Sequence, residues 1–160
     1  MIKSFDRFLN ESKKANKKTA AGVALIFDNK ILLIHPTNSG WTRATCGIPK
    51  GGIEDGEEPF DAALRELAEE TGISIDPALV DPTPHTVDFY SRSGEVTGKM
   101  IYFVCEVSDL LEIGLSDVRL PKEMLQLHEV DWAKFVDRDE AYAITARPQL
   151  IILDRHLINK

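Results

Sequence analysis

The stretch Gly51–Ile73, GGIEDGEEPFDAALRELAEETGI, decides how the rest of the chain reads. It is glycine-rich at its start, acidic towards its end, and carries Pro59 between. Proline is tolerated in a helix's first turn, where its missing N–H has no partner, so a helix is expected from about Glu58 or Pro59. Gly72 should close it, because glycine takes the left-handed conformation without steric penalty. At about 100° per residue, Phe60, Leu64, Leu67 and Ala68 share one side, and Glu66, Glu69 and Glu70 crowd nearly the opposite one. The apolar side must meet a core. Three carboxylates within one turn repel one another unless cations neutralise them. Oxygen-only donors of this kind suit hard divalent ions such as Mg²⁺ or Mn²⁺.

A charge run on an amphipathic helix is ordinarily a solvated face. Two neighbours argue for more here. Arg65 sits inside the acidic set, where its planar fork can hold a carboxylate rather than merely balance charge. The preceding Lys50-Gly51-Gly52 lets backbone approach a ligand closely. The run also matches the signature of the Nudix hydrolases at every fixed position: Gly51, Glu57, Arg65, Glu66, Leu67, Glu69, Glu70, Gly72 and Ile73. So many determined positions at fixed spacing are far more specific than a lone glycine motif.

This resemblance implies an α/β fold, an α/β/α sandwich with a mixed central sheet. It implies an enzyme that cuts a diphosphate linked to another moiety, often a nucleoside, with more than one bound Mg²⁺ or Mn²⁺. Glu69 and Glu70 would be the central metal ligands, and Glu66 a further ligand or the group orienting the attacking water. Arg65 would align one of those carboxylates. Glu57 would help bind a second ion or fix the loop, and a backbone carbonyl near Lys50 or Gly51 would join the metal shell. Glu129, in HEVDW, stands where relatives often supply another acidic ligand, its alternative being an exposed strand-end carboxylate. Glu106, alternating with Val104 and Cys105, is a weaker candidate that solvent exposure would equally explain.

Outward from the box, Thr19 to Phe27 and Ile31 to His35 are β-branched-rich runs around Asp28-Asn29-Lys30, a hairpin signal. Residues 44–48 read as a short strand delivering Pro49-Lys50-Gly51-Gly52. Residues 86–90 and 99–107 flank Ser91-Arg92-Ser93-Gly94 as an antiparallel pair. Residues 125–135 carry a strand with Trp132, Asp137 caps a helix through Ala143, and a last helix runs from about Pro148 to Leu157 with Leu150, Ile151, Leu153, Leu157 and Ile158 apolar. Strands with interspersed helices but no regular alternation point to a mixed sheet between helices.

The 160 residues suffice for one domain with a proper core. An apolar fraction of 43% and a charged fraction of 28% are those of a globular protein. No apolar run reaches membrane-spanning length and no secretory segment is visible, so the cytoplasm is the expected compartment and no membrane partner is expected. Cys46 and Cys105 lie in apolar surroundings without metal spacing, and read as buried reduced thiols. A net charge of −7 argues against a nonspecific nucleic-acid surface, while bound metal would still admit a highly charged small substrate.

The box gives the reaction class, not the leaving group. Trp41 followed by Ile48-Pro49-Lys50-Gly51 resembles the approach to the box in dinucleoside-polyphosphate hydrolases, and Tyr90 occupies the place of a tyrosine found beyond the box in several of them. An adenine would stack on Tyr90 or Trp41, and Lys50 or Arg43 would reach a phosphate. Tyr90 as a plain strand-edge aromatic is the alternative. PKGGIEDGE is also similar to the corresponding stretch of RNA 5′-pyrophosphohydrolases, which makes an RNA 5′ end the second substrate reading. The proline common downstream of the box in ADP-ribose hydrolases is missing near Asp88 and Phe89, which weakens that preference. Some proteins of this fold bind nucleotides or partners without turnover, usually having lost box glutamates; none is lost here. Oligomeric state, monomer or homodimer, is left open by these patterns.

Residues 1–18 differ from the domain over 19–160. Ile2, Phe5, Phe8 and Leu9 have helical spacing, and Lys13 to Lys18 form a basic linker. One reading is a short helix packed on the domain. The other is a resemblance to the N-terminal capsid-targeting segments of tailed-phage internal proteins, cleaved after a pattern that Leu9-Asn10-Glu11 satisfies, which would place the protein in a phage head. The two separate on truncation. A chain beginning at Ser12 keeps its melting temperature if the segment is a removable tag, whereas burial of Phe5, Phe8 and Leu9 would contribute about 1.5–3 kcal/mol each. A marked fall in thermal midpoint would rule out the tag.

Overall fold

The computed structural model describes residues 19–159; the helix or targeting segment expected over residues 1–18 lies outside them. Thr19–Phe27 (β1) and Lys30–Pro36 (β2) form the expected hairpin, paired through Ile26↔Ile31 and Phe27↔Lys30. Asp28 and Asn29 both take positive φ, 50° and 55°, the mirror-image turn whose twist matches that of the strands. The Asn29 amide also grips the far end of the chain, donating to Ile158 O (3.0 Å) and accepting from Ile158 N–H (2.8 Å).

A mixed six-stranded sheet runs β4-β5-β1-β2-β6, where β4 is His85–Tyr90, β5 is Val96–Val107 and β6 is Val130–Val136. Strand β5 lies parallel to β1 along the whole of β1, from Thr19↔Lys99 to Phe27↔Val107, and antiparallel to the edge strand β4. The short β3, Lys50–Gly52, pairs antiparallel with the start of β1. Helix α1, Pro59–Thr71, begins on the expected proline and ends at Gly72, whose φ is 74° and whose N–H donates to Ala68 O. Helices α2, Arg138–Ile144, and α3, Leu150–His156, complete the chain, with Asp137 capping α2 through Glu140 N–H.

Period-two alternation along β1 and β2 divides the core into two layers. Ala21, Val23, Leu25, Leu32 and Ile34 pack with Ala62, Ala63 and Leu67 of α1. Ala24, Ile26, Ile31 and Leu33 pack with Ala141, Ile152, Leu153 and Leu157 of α2, α3 and the residue after it. The expected α/β/α sandwich is therefore present. Both thiols are buried and unpaired, as read; burial, with Asp131 adding to it, pushes Cys46 up to about 12.

Four boundaries differ from expectation. Residues 44–48 make no ladder, because their N–H groups go to separate elements: Cys46 to Ile144 O, Gly47 to Ile34 O and Ile48 to the Gln149 side chain. The strand there is β3, within the glycine loop itself. Strand β6 starts at Val130 rather than Leu125, since Gln126 N–H turns aside to Glu70 O at the end of α1. Strand β5 starts earlier, at Val96. The last helix opens with a 3₁₀ turn, Arg147–Gln149; Ile151 and Ile158 face outwards, and Ile152 fills the core instead. On α1, Phe60 and Leu64 pack at the margin of the core, Leu67 is fully buried together with Ala62 and Ala63 from outside the expected stripe, and Ala68 is half-buried. Glu66 and Glu70 are buried as well, so the acidic side is not a solvated one.

The glycine loop is seated by a close approach at Gly22, where an added Cβ would lie 2.6 Å from Pro49 O and 2.9 Å from Lys50 Cβ. Gly22→Ala must push β1 and the loop apart. Overpacking of this kind typically costs about 1–3 kcal/mol, and chemical denaturation should read a loss in that range.

Candidate active site

Arg65 is the hub of the box. Its Nε and Nη2 fork onto the two oxygens of Glu57 at 2.8 and 2.9 Å, and Nη2 also donates to Gly52 O at 2.9 Å. Its Nη1 donates to Glu66 at 2.9 Å and Glu69 at 3.2 Å. A planar five-donor group can hold three carboxylates and a carbonyl together in this way, and a lysine cannot. Glu57 is held well below the usual carboxylate range, at about 2, chiefly by the Arg65 hydrogen bonds and then by Glu54 N–H. Of the two roles expected for Glu57, fixing the loop is the one these contacts serve. The Arg65 guanidinium is itself held further into its charged form, first by Glu57.

Both buried glutamates are pushed up by burial. Glu66 is pushed up by burial, against the opposing pull of Arg65. Glu70, 6% exposed, is pushed up to about 8 by burial, although Lys50 N–H donates to its Oε1 at 2.7 Å. Carboxylates at Glu66 and Glu129 raise it further. Glu129 itself is exposed at the mouth of the site, after a turn and just before β6, and near enough to act on both. Glu69 is exposed; Glu106 points to solvent on β5.

Among the described residues no three acidic groups converge as a ready-made metal cage. The donor set nevertheless fits a hard divalent ion. Glu66, Glu69 and Glu70 offer only carboxylate oxygens, and Arg65 reaches the first two but not Glu70, whose buried carboxyl has no cationic side chain bonded to it. The glycine loop is shaped around them: a Cβ on Gly51 would lie 2.1 Å from the carboxyl carbon of Glu66, so only glycine admits that carboxylate against the backbone.

Beside the box is a cleft of about 390 Å³ whose lining includes Lys50, Glu70, Phe89, Glu129, Pro148 and Gln149. Residues 16–155 match the NUDIX domain family. The chain belongs to the Nudix family. RNA pyrophosphohydrolase of Novosphingobium aromaticivorans is 42% identical over 53 residues, 33% of this chain and 33% of that protein. Nudix hydrolase 25 of Arabidopsis thaliana is 52% identical over 44 residues, 26% of this chain and 25% of that protein. The chain thus aligns with a third or less of the length of these curated relatives. Among solved structures, a C. elegans Ap4A hydrolase binary complex superposes with TM-score 0.57 at 20% identity, covering 85% of this chain and 93% of the other. The E. coli dihydroneopterin triphosphate pyrophosphohydrolase gives 0.62 at 15% identity, covering 89% and 96%. At these identities the likeness is one of fold.

The structure gathers only some of the substrate-side residues read for this Nudix domain. Lys50 lines the box cleft, its Nζ 5.8 Å from the centre of the Phe89 ring. Trp41 does not line it. One face of Trp41 stacks on the buried His35 (3.9 Å between centroids) and its ring meets Trp132 edge to face, His35 being fixed by Asp131 at 2.6 Å. Arg43 is exposed on the same loop, away from the cleft. Tyr90 stands on the outer edge of the sheet and lines a different cleft. The aromatic beside Lys50 is its neighbour Phe89, pointed the other way by strand alternation. Gln149, whose Oε1 accepts Ile48 N–H at 2.9 Å, was also missed. It arrives from about a hundred residues away, and no local pattern announces it.

The state of Glu70 yields a pH prediction. Its folded carboxyl holds a proton up to about 8, while the unfolded one releases it near 4.5, so rising pH through that window favours the unfolded chain. The stabilising contribution is present below the window and lost across it. Glu70→Gln cannot titrate. Thermal melts in chelator should therefore show the mutant gaining on wild type from about pH 5 to about pH 8; parallel curves would refute the assignment.

Proposed function

We propose that this Nudix domain is a divalent-metal-dependent pyrophosphohydrolase that cuts the diphosphate linkage of a nucleoside diphosphate derivative. The observation carrying this is an all-oxygen set beside the Gly51 loop: Glu66 and Glu69 held by Arg65, and Glu70 held by Lys50 N–H. Glu69 and Glu70 would hold Mg²⁺ or Mn²⁺, with Glu66 completing the set. When bound, such ions neutralise diphosphate oxygens and acidify a coordinated water.

The chain's own groups then have distinct tasks. Arg65 keeps the carboxylates oriented, so little reorganisation is needed when the charge at phosphorus redistributes. Its fork onto Glu57 and Gly52 O ties the loop to α1, which keeps Gly51 against Glu66. Lys50 would contact a phosphate from the cleft wall, where its charge also offsets that of Glu70. Glu129, which lines the cleft, would accept a proton from the attacking water, and Glu66 would be the alternative base.

The favoured substrate is a dinucleoside polyphosphate or an ADP-ribose-like compound, whose anionic linkage fits a site of this charge and whose nucleoside can contact Phe89. An RNA 5′ end is the second reading, favoured by the local identity with proteins named RNA pyrophosphohydrolase. Phosphate release should be measured over a panel of dinucleoside polyphosphates, ADP-ribose and 5′-triphosphorylated RNA, with and without Mg²⁺. Turnover of at least one member that vanishes with chelator is expected. Glu70→Gln, which keeps size but removes the charge, should cut that turnover by orders of magnitude with the fold intact. Near-wild-type turnover by this mutant at saturating substrate would remove the metal assignment.

A further inference from the structure

A second cleft, larger than the one beside the box, lies on another face of the sheet edge. It holds about 760 Å³ and lies between the outer edge of β4 and the 3₁₀ turn leading into α3. Arg92, Arg147 and Arg155 all line it, against one acid, Asp88, in a chain of net charge −7. Arg155 is anchored, donating to Thr86 O at 3.0 Å and to Tyr102 Oη at 3.3 Å. Among the described residues Arg92 and Arg147 form no salt bridge, so their guanidinium donors remain available to a ligand. Tyr90, 61% exposed, and Ile151, 42% exposed, give the cleft apolar surface.

Gathering like charges here is unfavourable unless an anion binds between them, and guanidinium forks match phosphate geometry. An exposed aromatic ring beside them suits a planar base. The size lies within the range of small-molecule sites. The cleft also abuts the box cleft: Pro148 lines both, and the consecutive residues Phe89 and Tyr90 face one each.

We propose that the arginine cleft is a second subsite, taking a nucleoside phosphate of the substrate that lies beyond the diphosphate being cut. The inference rests on the pyrophosphohydrolase reading and adds where the far end of the substrate goes. That far end is the second nucleotide of a dinucleoside polyphosphate or the next nucleotide of an RNA 5′ end, and the chemistry recognised is the same. Tyr90 stacks on its base, and Arg92 and Arg147 hold its phosphate.

The test compares long and truncated substrates in Arg147→Ala and Arg92→Ala, with melting temperatures as a folding control. Diadenosine tetraphosphate is paired with adenosine tetraphosphate, and a 5′-triphosphorylated RNA oligomer with ATP. A hydrogen bond to a charged group corresponds to roughly 10- to 100-fold in affinity. The long-to-short ratio of kcat/KM should fall by about that factor, through KM, in one pair, and Arg147→Lys should recover part of it. The pair affected identifies the source of the nucleotide. Equal losses on long and short substrates, or no loss, would overturn the subsite. Should the wild type turn over no member, the pyrophosphohydrolase reading fails by itself, and calorimetry with AMP in chelator decides the subsite: binding weakened by Arg147→Ala supports it, and absent or unchanged binding overturns it.

Discussion

Two carboxylates, Glu66 and Glu70, are buried against a glycine loop with one guanidinium to share among them, and the rest of the site follows from that imbalance. Burying a carboxylate is unfavourable unless it is paired or hydrogen-bonded. Arg65 satisfies Glu66 but divides its donors among Glu57, Glu69 and Gly52 O as well. Glu70 is left with a backbone N–H and is held towards its protonated form. Under the proposed function, deprotonation by a divalent ion would convert this unfavourable arrangement into a favourable one. The same constraint explains the loop. With any Cβ at Gly51, Glu66 would lose its seat, and with any at Gly22 the loop would lose its own.

The scaffold is organised to make that seat rigid. Strand β1 is central, paired with β5 along its whole length, with β2 through the hairpin and with β3 at its start. Its register with β3, Ala21↔Gly51 and Gly22↔Lys50, fixes the loop directly on the strand that also pairs with β2 and β5. Helix α1 is then clamped from below by Leu67 and from its end by Gln126 N–H on Glu70 O. Sites built on such elements hold geometry better than sites on loops. From the opposite layer, Gln149 reaches Ile48 N–H.

How much of this was legible in the sequence depends on range. Pro59 and Gly72 bound α1 as read, and the Asp28-Asn29 turn and the Asp137 cap were legible because each is decided by a few adjacent residues. The Arg65 fork was legible as chemistry because its partners lie within a loop and two turns of it. Residues 44–48 misled, since their composition is that of a strand while their N–H groups answer to partners near 34, 144 and 149. Tyr90 and Phe89 show the same limit at finer grain. Spacing from the box pointed to Tyr90, and only the pairing of β4 with β5 decides that Phe89 faces the box cleft and Tyr90 the other. The arginines at 92, 147 and 155 are scattered in sequence and meet only because α3 returns across the sheet edge.

That return is the step linking fold to specificity. The box is one continuous segment, so its chemistry travels with the sequence. The walls around it come from β4 and from the segment before α3, which share no local code and can vary without touching Arg65 or its carboxylates. Pro148 and Gln149 sit at this junction: Gln149 braces the loop that carries Lys50, and Pro148 borders both clefts. A change at Gln149 would therefore act on the seat of the loop, whereas a change at Arg92 or Arg147 would act on preference alone. The division of labour is physical. Under the proposed function, locally encoded geometry would hold the reacting centre, and long-range packing of the two outer elements would select what reaches it.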